Sequence, residues 1–166
     1  RNATGATDGQ IASTESWITA QGKALGVSDD ELRPALSKLA LATGDVGEAQ
    51  KIAALAMDVS AGSGQSLEKV TKALAGAQNG NLGGLSKMQV ATKDAAGNTK
   101  TLAQITDDLA NKYKGSAANA AATAAGKQKI LTVQLGELRA QIGTGLLPVM
   151  TTLATKGLQM VDWVAR

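Results

Sequence analysis

The chain has 166 residues, with 17 Lys and Arg, 14 Asp and Glu, and a net charge of +3 at pH 7. It contains no His and no Cys, which excludes disulfides, thiolate metal sites and the commonest general base. Aromatic residues make up 2% of the chain, so base stacking is not available for binding nucleic acid. We therefore expect no enzyme, no metal or cofactor, and no sequence-specific nucleic-acid binding.

Charge is distributed unevenly along the chain. Residues 1–108 carry 10 basic and 12 acidic residues, whereas residues 109–166 carry 7 and 2. A basic C-terminal third is compatible with contact to nucleic acid or anionic lipid, but the dispersed charges favour a solvated helix face. No apolar run reaches the roughly 18 residues of a membrane span. Because the first residue is Arg1, we expect the sequence to be a piece of a longer protein.

The N-terminal two thirds of the chain read as a series of short helices. Residues 1–7 show no periodicity and are predicted to be loop or upstream linker. Apolar periodicity and capping residues predict helices over about 8–25, 28–43, 45–60, 66–78 and 101–114. Asp8 is the expected first N-cap, and capping boxes are predicted at Ser28–Glu31, Asp45–Glu48 and Thr101–Gln104. Pro34 predicts a kink, or a later start of its helix.

The helical pattern of the sequence is interrupted after the fourth predicted helix. Residues 88–92 and 98–102 flank a short segment that contains Gly97. This arrangement predicts a small two-stranded β-hairpin over about 88–102 that lies against the helices. The alanine-rich residues 117–125 then favour a helix that continues directly into the C-terminal helix.

The C-terminal helix organises the chain. On a helix of 3.6 residues per turn, seven apolar residues form a single stripe, with Gln134, Glu137, Gln141 and Thr144 placed on the opposite face. The stripe consists of Leu131, Leu135, Leu138, Ile142, Leu146, Val149 and Leu153. Pro148 is expected to kink or interrupt this helix.

A third face of the same helix carries only the small residues Gly136, Ala140 and Gly143. Small residues let another backbone approach closely. Together with the apolar stripe they predict a packing or oligomer seam. Two readings remain open: contact between copies of the chain or with a surrounding wall, and packing against the preceding helices of the same chain.

Candidate catalytic patterns have simpler interpretations. Ser66 and Lys69 match the S-x-x-K spacing of acyl-serine enzymes, but Ser66 is better read as a helix cap. Asp107 and Asp108 are adjacent, so on a helix they point to different sides and do not form a pair of facing carboxylates. We interpret both patterns as structural.

Seven segments in a fixed order give the chain a family resemblance. They are T-G-D at 43–45, A-M-D-V at 56–59, Q-N-G-N at 78–81, V-x-x-K-D-A-x-G-x-x-K-T at 90–101, A-x-T-x-x-G at 121–126, L-x-x-Q-L-x-E-L at 131–138 and I-G-x-x-L-L-P-V at 142–149. In this order, over roughly residues 25–165, they resemble the core region of siphophage tail tape-measure proteins. Gly83, Gly84 and Gly157 depart from the bulkier residues expected there.

The resemblance implies a helical virion protein that fills the tail-tube lumen as a small homo-oligomer, and the family suggests a trimer. Such a protein sets tail length and leaves with the genome at infection. Its implied partners are the tail tube protein, tail tip proteins and tail assembly chaperones, with possible host membrane contact. Its implied locations are the lumen of the phage tail and then the host envelope.

The predicted fold class is mainly α: a short-helix array with one small β-hairpin, followed by a long amphipathic helix kinked near Pro148. The predicted divisions are 1–7, a compact helical module with the hairpin over 8–115, and a long helix over 116–166. Two alternatives remain beside the tape measure. One is a membrane-active helical module that assists genome passage, and the other is a helical adaptor domain unrelated to phage.

Overall fold

A computed structural model describes the backbone of residues 7–164 and the side chains of residues 7–144. Helices account for most of this part of the chain. They are α1 (Asp8–Leu25), α2 (Asp29–Thr43), α3 (Val46–Ser63), α4 (Leu67–Gln78), α5 (Gly83–Lys87), α6 (Leu102–Tyr113), α7 (Ser116–Ala122) and α8 (Ala124–Val164). The predicted mainly helical class agrees with this architecture.

The core lies where α2, α3 and α4 pack on one another, with α6 and α7 against α3. Leu32 and Leu39 of α2, Leu74 of α4 and Ile105 of α6 are fully buried. Alanines fill much of the remaining space on α3 and α4, so the helix backbones lie close together. A core of this composition buries little area per residue, which limits how much each contact stabilises the fold.

Polar side chains begin most of the helices as predicted, with some differences. The Thr101–Gln104 capping box forms, and the Ser66 side chain accepts from the N–H of Lys69. Only half of the box predicted at Asp45–Glu48 forms, because Asp45 accepts from the N–H of Glu48 but the Glu48 side chain pairs with Lys51. The first cap is Thr7 rather than Asp8, because the Thr7 hydroxyl accepts from the N–H of Gln10.

The Ser28–Glu31 capping box does not form, although Ser28 does precede the helix. Its side chain makes no capping hydrogen bond, and the first turn is closed by its backbone carbonyl. The helix begins at Asp29 and includes Pro34, so the later start is wrong. In α8 the backbone is helical from Ala124 to Val164, with no interruption at Pro148.

The β-hairpin predicted over residues 88–102 is wrong: the described chain contains no β-strand there, only an isolated antiparallel bridge between Lys93 and Thr99. The flanking residues belong to helix ends instead. The N–H of Val90 closes on the carbonyl of Leu85 at the end of α5, and Thr101 is the N-cap of α6. Between these ends two backbone hydrogen bonds cross the segment, from Lys100 N–H to the Thr92 carbonyl and from Asp94 N–H to the Asn98 carbonyl, which make a single bridge and not a ladder.

The Asp94 side chain stabilises a turn in the segment that connects α5 to α6. Its carboxylate accepts hydrogen bonds from the backbone N–H groups of Ala96 and Asn98, both at 2.9 Å. The backbone hydrogen bond from Asn98 is the largest cause of a pKa for Asp94 that lies below its ordinary value of 3.8. The turn is therefore stabilised by the ionised carboxylate.

This connection should loosen in acid. A folded-state pKa below the unfolded value means that the stabilisation is present above the unfolded pKa and is lost as pH falls through the folded one. We expect the amide signals of Ala96 and Asn98 to titrate only below about pH 4 in an NMR pH series. Asp94→Ala should abolish that titration. A midpoint at or above the ordinary aspartate value would contradict the prediction.

Candidate functional site on the C-terminal helix

The helix α8 begins at a sharp break after α7. Thr123 separates the two helices with an extended backbone (φ −69°, ψ 161°), and its Oγ1 accepts a hydrogen bond of 3.0 Å from the N–H of Gly126. The predicted continuous helix from the alanine-rich segment into α8 is therefore wrong. A β-carbon at Gly126 would lie 2.7 Å from the Cα of Ala121, so only glycine fits where the helices meet.

The face of α8 that packs on the body is not the leucine stripe. It consists of Gly126, Ile130, Val133 and Glu137, which recur at helical spacing and are partly buried. Ile130 lies against Gly26, the left-handed residue that ends α1. At 3.6 residues per turn, this face lies about 140° around the helix from the centre of the leucine stripe.

Glu137 ends the packed face. Sequence periodicity placed it on a polar face, but a β-carbon at Gly22 of α1 would lie 3.7 Å from the Glu137 Oε1 atom. That oxygen is buried and accepts no hydrogen bond from any residue that the structure describes. The contact between α8 and α1 therefore ends on an unpartnered carboxylate oxygen.

The leucine row, defined here as Leu131, Leu135, Leu138 and Ile142, faces outward. Their exposed fractions are 55%, 44%, 50% and 51%. Monomeric proteins rarely expose large apolar side chains next to one another on one surface. Where they do, the apolar patch usually marks an interaction site. The side chains of Leu146, Val149 and Leu153, also in the predicted stripe, lie outside the described residues.

The small residues of the predicted seam are also uncovered. A β-carbon at Gly136 or Gly143 would meet nothing within 4 Å, and Ala140 is exposed. No described element uses the close approach that these residues permit. Packing within the chain thus occupies a different face, and the described part of the seam is open to solvent.

Asp58 fixes the position of α7 from across the fold. Its carboxylate accepts hydrogen bonds from the backbone N–H of Ala117 at 2.9 Å and of Gly115 at 3.3 Å. These are among the free N–H groups at the start of α7, where negative charge also complements the helix dipole. The N-cap residue of α7 is Gly115, which has no side chain, so Asp58 on α3 supplies the capping carboxylate from nearly sixty residues away.

Ser66 of the S-x-x-K pattern is a helix cap, as predicted. Its Oγ accepts from the N–H of Lys69, and the Lys69 ammonium donates to the Gln65 side chain at 2.6 Å. A cavity of about 340 Å³ lies nearby and is lined by residues of α1, α2, α3, α4, α7 and α8. Its charged lining residues, Glu31 and Lys129, are both exposed to solvent.

The residues that the structure describes meet the requirements of neither a metal site nor a membrane span. Among them, no group of His, Cys, Asp or Glu is arranged to hold a metal ion. None of the helices in this part of the chain has the length and hydropathy of a membrane span.

Sequence reasoning missed the residues that orient α8. Thr123 and Gly126 carry a local signal, because a threonine three residues before a glycine can cap a helix that starts between them. Asp58 carries no local signal, since its partners are distant in sequence. Comparisons of the chain with protein-family models, with curated proteins and with solved structures found no match.

Proposed function

We propose that the chain is a segment of a siphophage tail tape-measure protein. It is a non-enzymatic virion protein that lies in the tail-tube lumen as a homo-oligomer, sets tail length and is released with the genome. The observation that supports this most is the exposed leucine row on a helix of 41 residues. A helix with such a row needs a partner, and a bundle of copies supplies one.

The spacing of the row favours a partner helix. In the sequence the seven stripe residues follow intervals of four, three and four, and this pattern occurs twice between Leu131 and Leu153. Eleven residues in three turns correspond to about 3.67 residues per turn, close to the α-helix itself. The stripe therefore runs nearly parallel to the helix axis, as a seam between long, weakly supercoiled helices requires.

The surroundings of the row suit a seam between copies. Lys127 and Arg139 are exposed beside it, whereas Glu137 is turned toward α1. The open glycines at 136 and 143 leave room for a second backbone. In the proposed assembly the outer faces of the bundle contact the tail tube protein, and the ends contact tail tip proteins and assembly chaperones.

Changing the helix length in the parent gene tests this proposal. Residues 131–152 comprise two eleven-residue units, so deleting or duplicating them preserves the phase of the stripe. At 1.5 Å per residue, we expect tails about 33 Å shorter or longer in electron micrographs. Reinserting the 22 residues into the deletion is the matched control and should restore the length. Tails of unchanged length in both variants would overturn the proposed function.

A further inference from the structure

We propose that Thr123 is a joint at which α7 and α8 exchange between the bent arrangement and one continuous helix from Ser116 to Val164. In the bent arrangement this single residue separates the two helices. The inference concerns the geometry of the chain and does not depend on the proposed function. It rests on the local sequence, on the contacts that hold the bend, and on the weakness of the α1–α8 contact.

The local sequence favours the continuous helix. Seven of the nine residues from 117 to 125 are alanine, the residue with the highest helix propensity. In the bent arrangement Ala124 and Ala125 begin α8, so their N–H groups have no partner one turn earlier in the helix. A helical backbone at Thr123 would pair these groups with the carbonyls of Ala120 and Ala121.

The bend is held by two close contacts made by glycines. A β-carbon at Gly126 would collide with the carbonyl oxygen of Ala120 and lie 2.7 Å from the Cα of Ala121. At Gly26 a β-carbon would lie 3.0 Å from Ile130. The bent state thus depends on the absence of a side chain at Gly126, a dependence that the continuous helix does not share.

Apart from Gly126, the described side chains of α8 that are not exposed are Ile130, Val133 and Glu137. Ile130 and Val133 are only partly buried, and the Glu137 Oε1 atom is buried without a hydrogen-bond partner among the described residues. Burial of an unpaired carboxylate oxygen opposes docking of α8 on α1. Every side chain from Leu138 to Thr144 is exposed, so this part of α8 adds nothing to the contact.

The Asp58 hydrogen bonds determine which helix moves. They hold the N-terminus of α7 on α3, so α7 stays in place and α8 leaves α1 when Thr123 becomes helical. The continuous helix comprises about 49 residues and is about 74 Å long. The joint therefore changes both the direction and the length of the rod that carries the leucine row.

The glycine at position 126 provides a sharp test. Gly126→Ala introduces a β-carbon that the bend excludes and the continuous helix accepts, whereas Gly136→Ala adds the same methyl group where nothing lies within 4 Å. Amide hydrogen exchange at Ala124 and Ala125 is the first measurement. We expect their exchange to slow at least tenfold in Gly126→Ala and to stay at the parent rate in Gly136→Ala.

A distance measurement gives the second readout. The chain has no cysteine, so spin labels at Lys38→Cys and Gln141→Cys, both exposed, report on α8 relative to the body. An excess of unlabelled protein restricts the distances to single chains. We expect Gly126→Ala to populate a distance distinct from that of the parent. Thr123→Ala, which removes the cap without adding bulk, should shift the same populations in the same direction.

Three results would overturn the joint. One is fast exchange at Ala124 and Ala125 together with the parent distance in both Gly126→Ala and Thr123→Ala. Another is unfolding of residues 123–127 in these variants, seen as random-coil chemical shifts. The third is an equal response in Gly136→Ala, which would show an effect of helix propensity unrelated to the bend.

Discussion

Replacing Leu135 and Leu138 together with glutamate should dissociate the proposed homo-oligomer into monomers while the helical body stays folded. Both side chains are about half exposed within one chain, so the fold loses little when they change. A partner that covers the exposed half of a leucine gains roughly 1 kcal/mol. In a pair of copies, four such leucines contribute about 4 kcal/mol, and their loss weakens association about a thousandfold.

Light scattering with small-angle X-ray scattering measures this change. An elongated oligomer should become a monomer, with the thermal unfolding midpoint of the body nearly unchanged. Leu41→Glu is the matched control because Leu41 is 61% exposed on α2, away from the leucine row, and it should leave the oligomer intact. A parent protein that stays monomeric at high concentration, or an oligomer that survives both substitutions, would contradict the prediction.

Asp58→Ala should destabilise the fold by about 2 kcal/mol, because it leaves the N–H groups of Gly115 and Ala117 without an acceptor. Denaturant unfolding followed by circular dichroism measures the difference. Asp58→Asn keeps one acceptor oxygen and should lose less stability. The loss should centre on α7, where amide exchange should accelerate first.

Asp107→Ala is the control for the loss of a carboxylate. Asp107 is exposed on α6, so its removal should change the free energy of unfolding by no more than about 0.5 kcal/mol. Equal stability losses in Asp58→Ala and Asp107→Ala would show that the Asp58 hydrogen bonds contribute nothing specific.

The helices of the body could be predicted because their signals are local. Thr101 with Gln104 and Asp45 before Glu48 occupy the caps that their spacing indicates. Leu32, Leu36 and Leu39 of α2 recur at helical spacing, and all three are buried. A cap depends on three or four consecutive residues, so the rest of the chain has little influence on it.

Residues 88–102 alone do not determine whether this segment forms a β-hairpin. The two segments that flank the Gly97 turn are compatible with strands, yet the same segments end α5 and begin α6. The helix ends use the backbone N–H groups of Val90 and Thr101, so the pairing is limited to the bridge at Lys93 and Thr99. The turn at Asp94 forms all the same, since its hydrogen bonds lie within five residues.

For α8, the sequence by itself determined the helix and the alignment of its leucines, because both follow from the 3.6-residue period. The tertiary structure decided which face packs. Periodicity ranks faces by apolar area and favours the leucine row. Packing instead selected the face of Gly126 and Ile130, because Gly22 and Gly26 of α1 admit it at close range. The break at Thr123 has the same origin, because the close packing at Gly126 and on α1 overrides the helix propensity of the alanines around it.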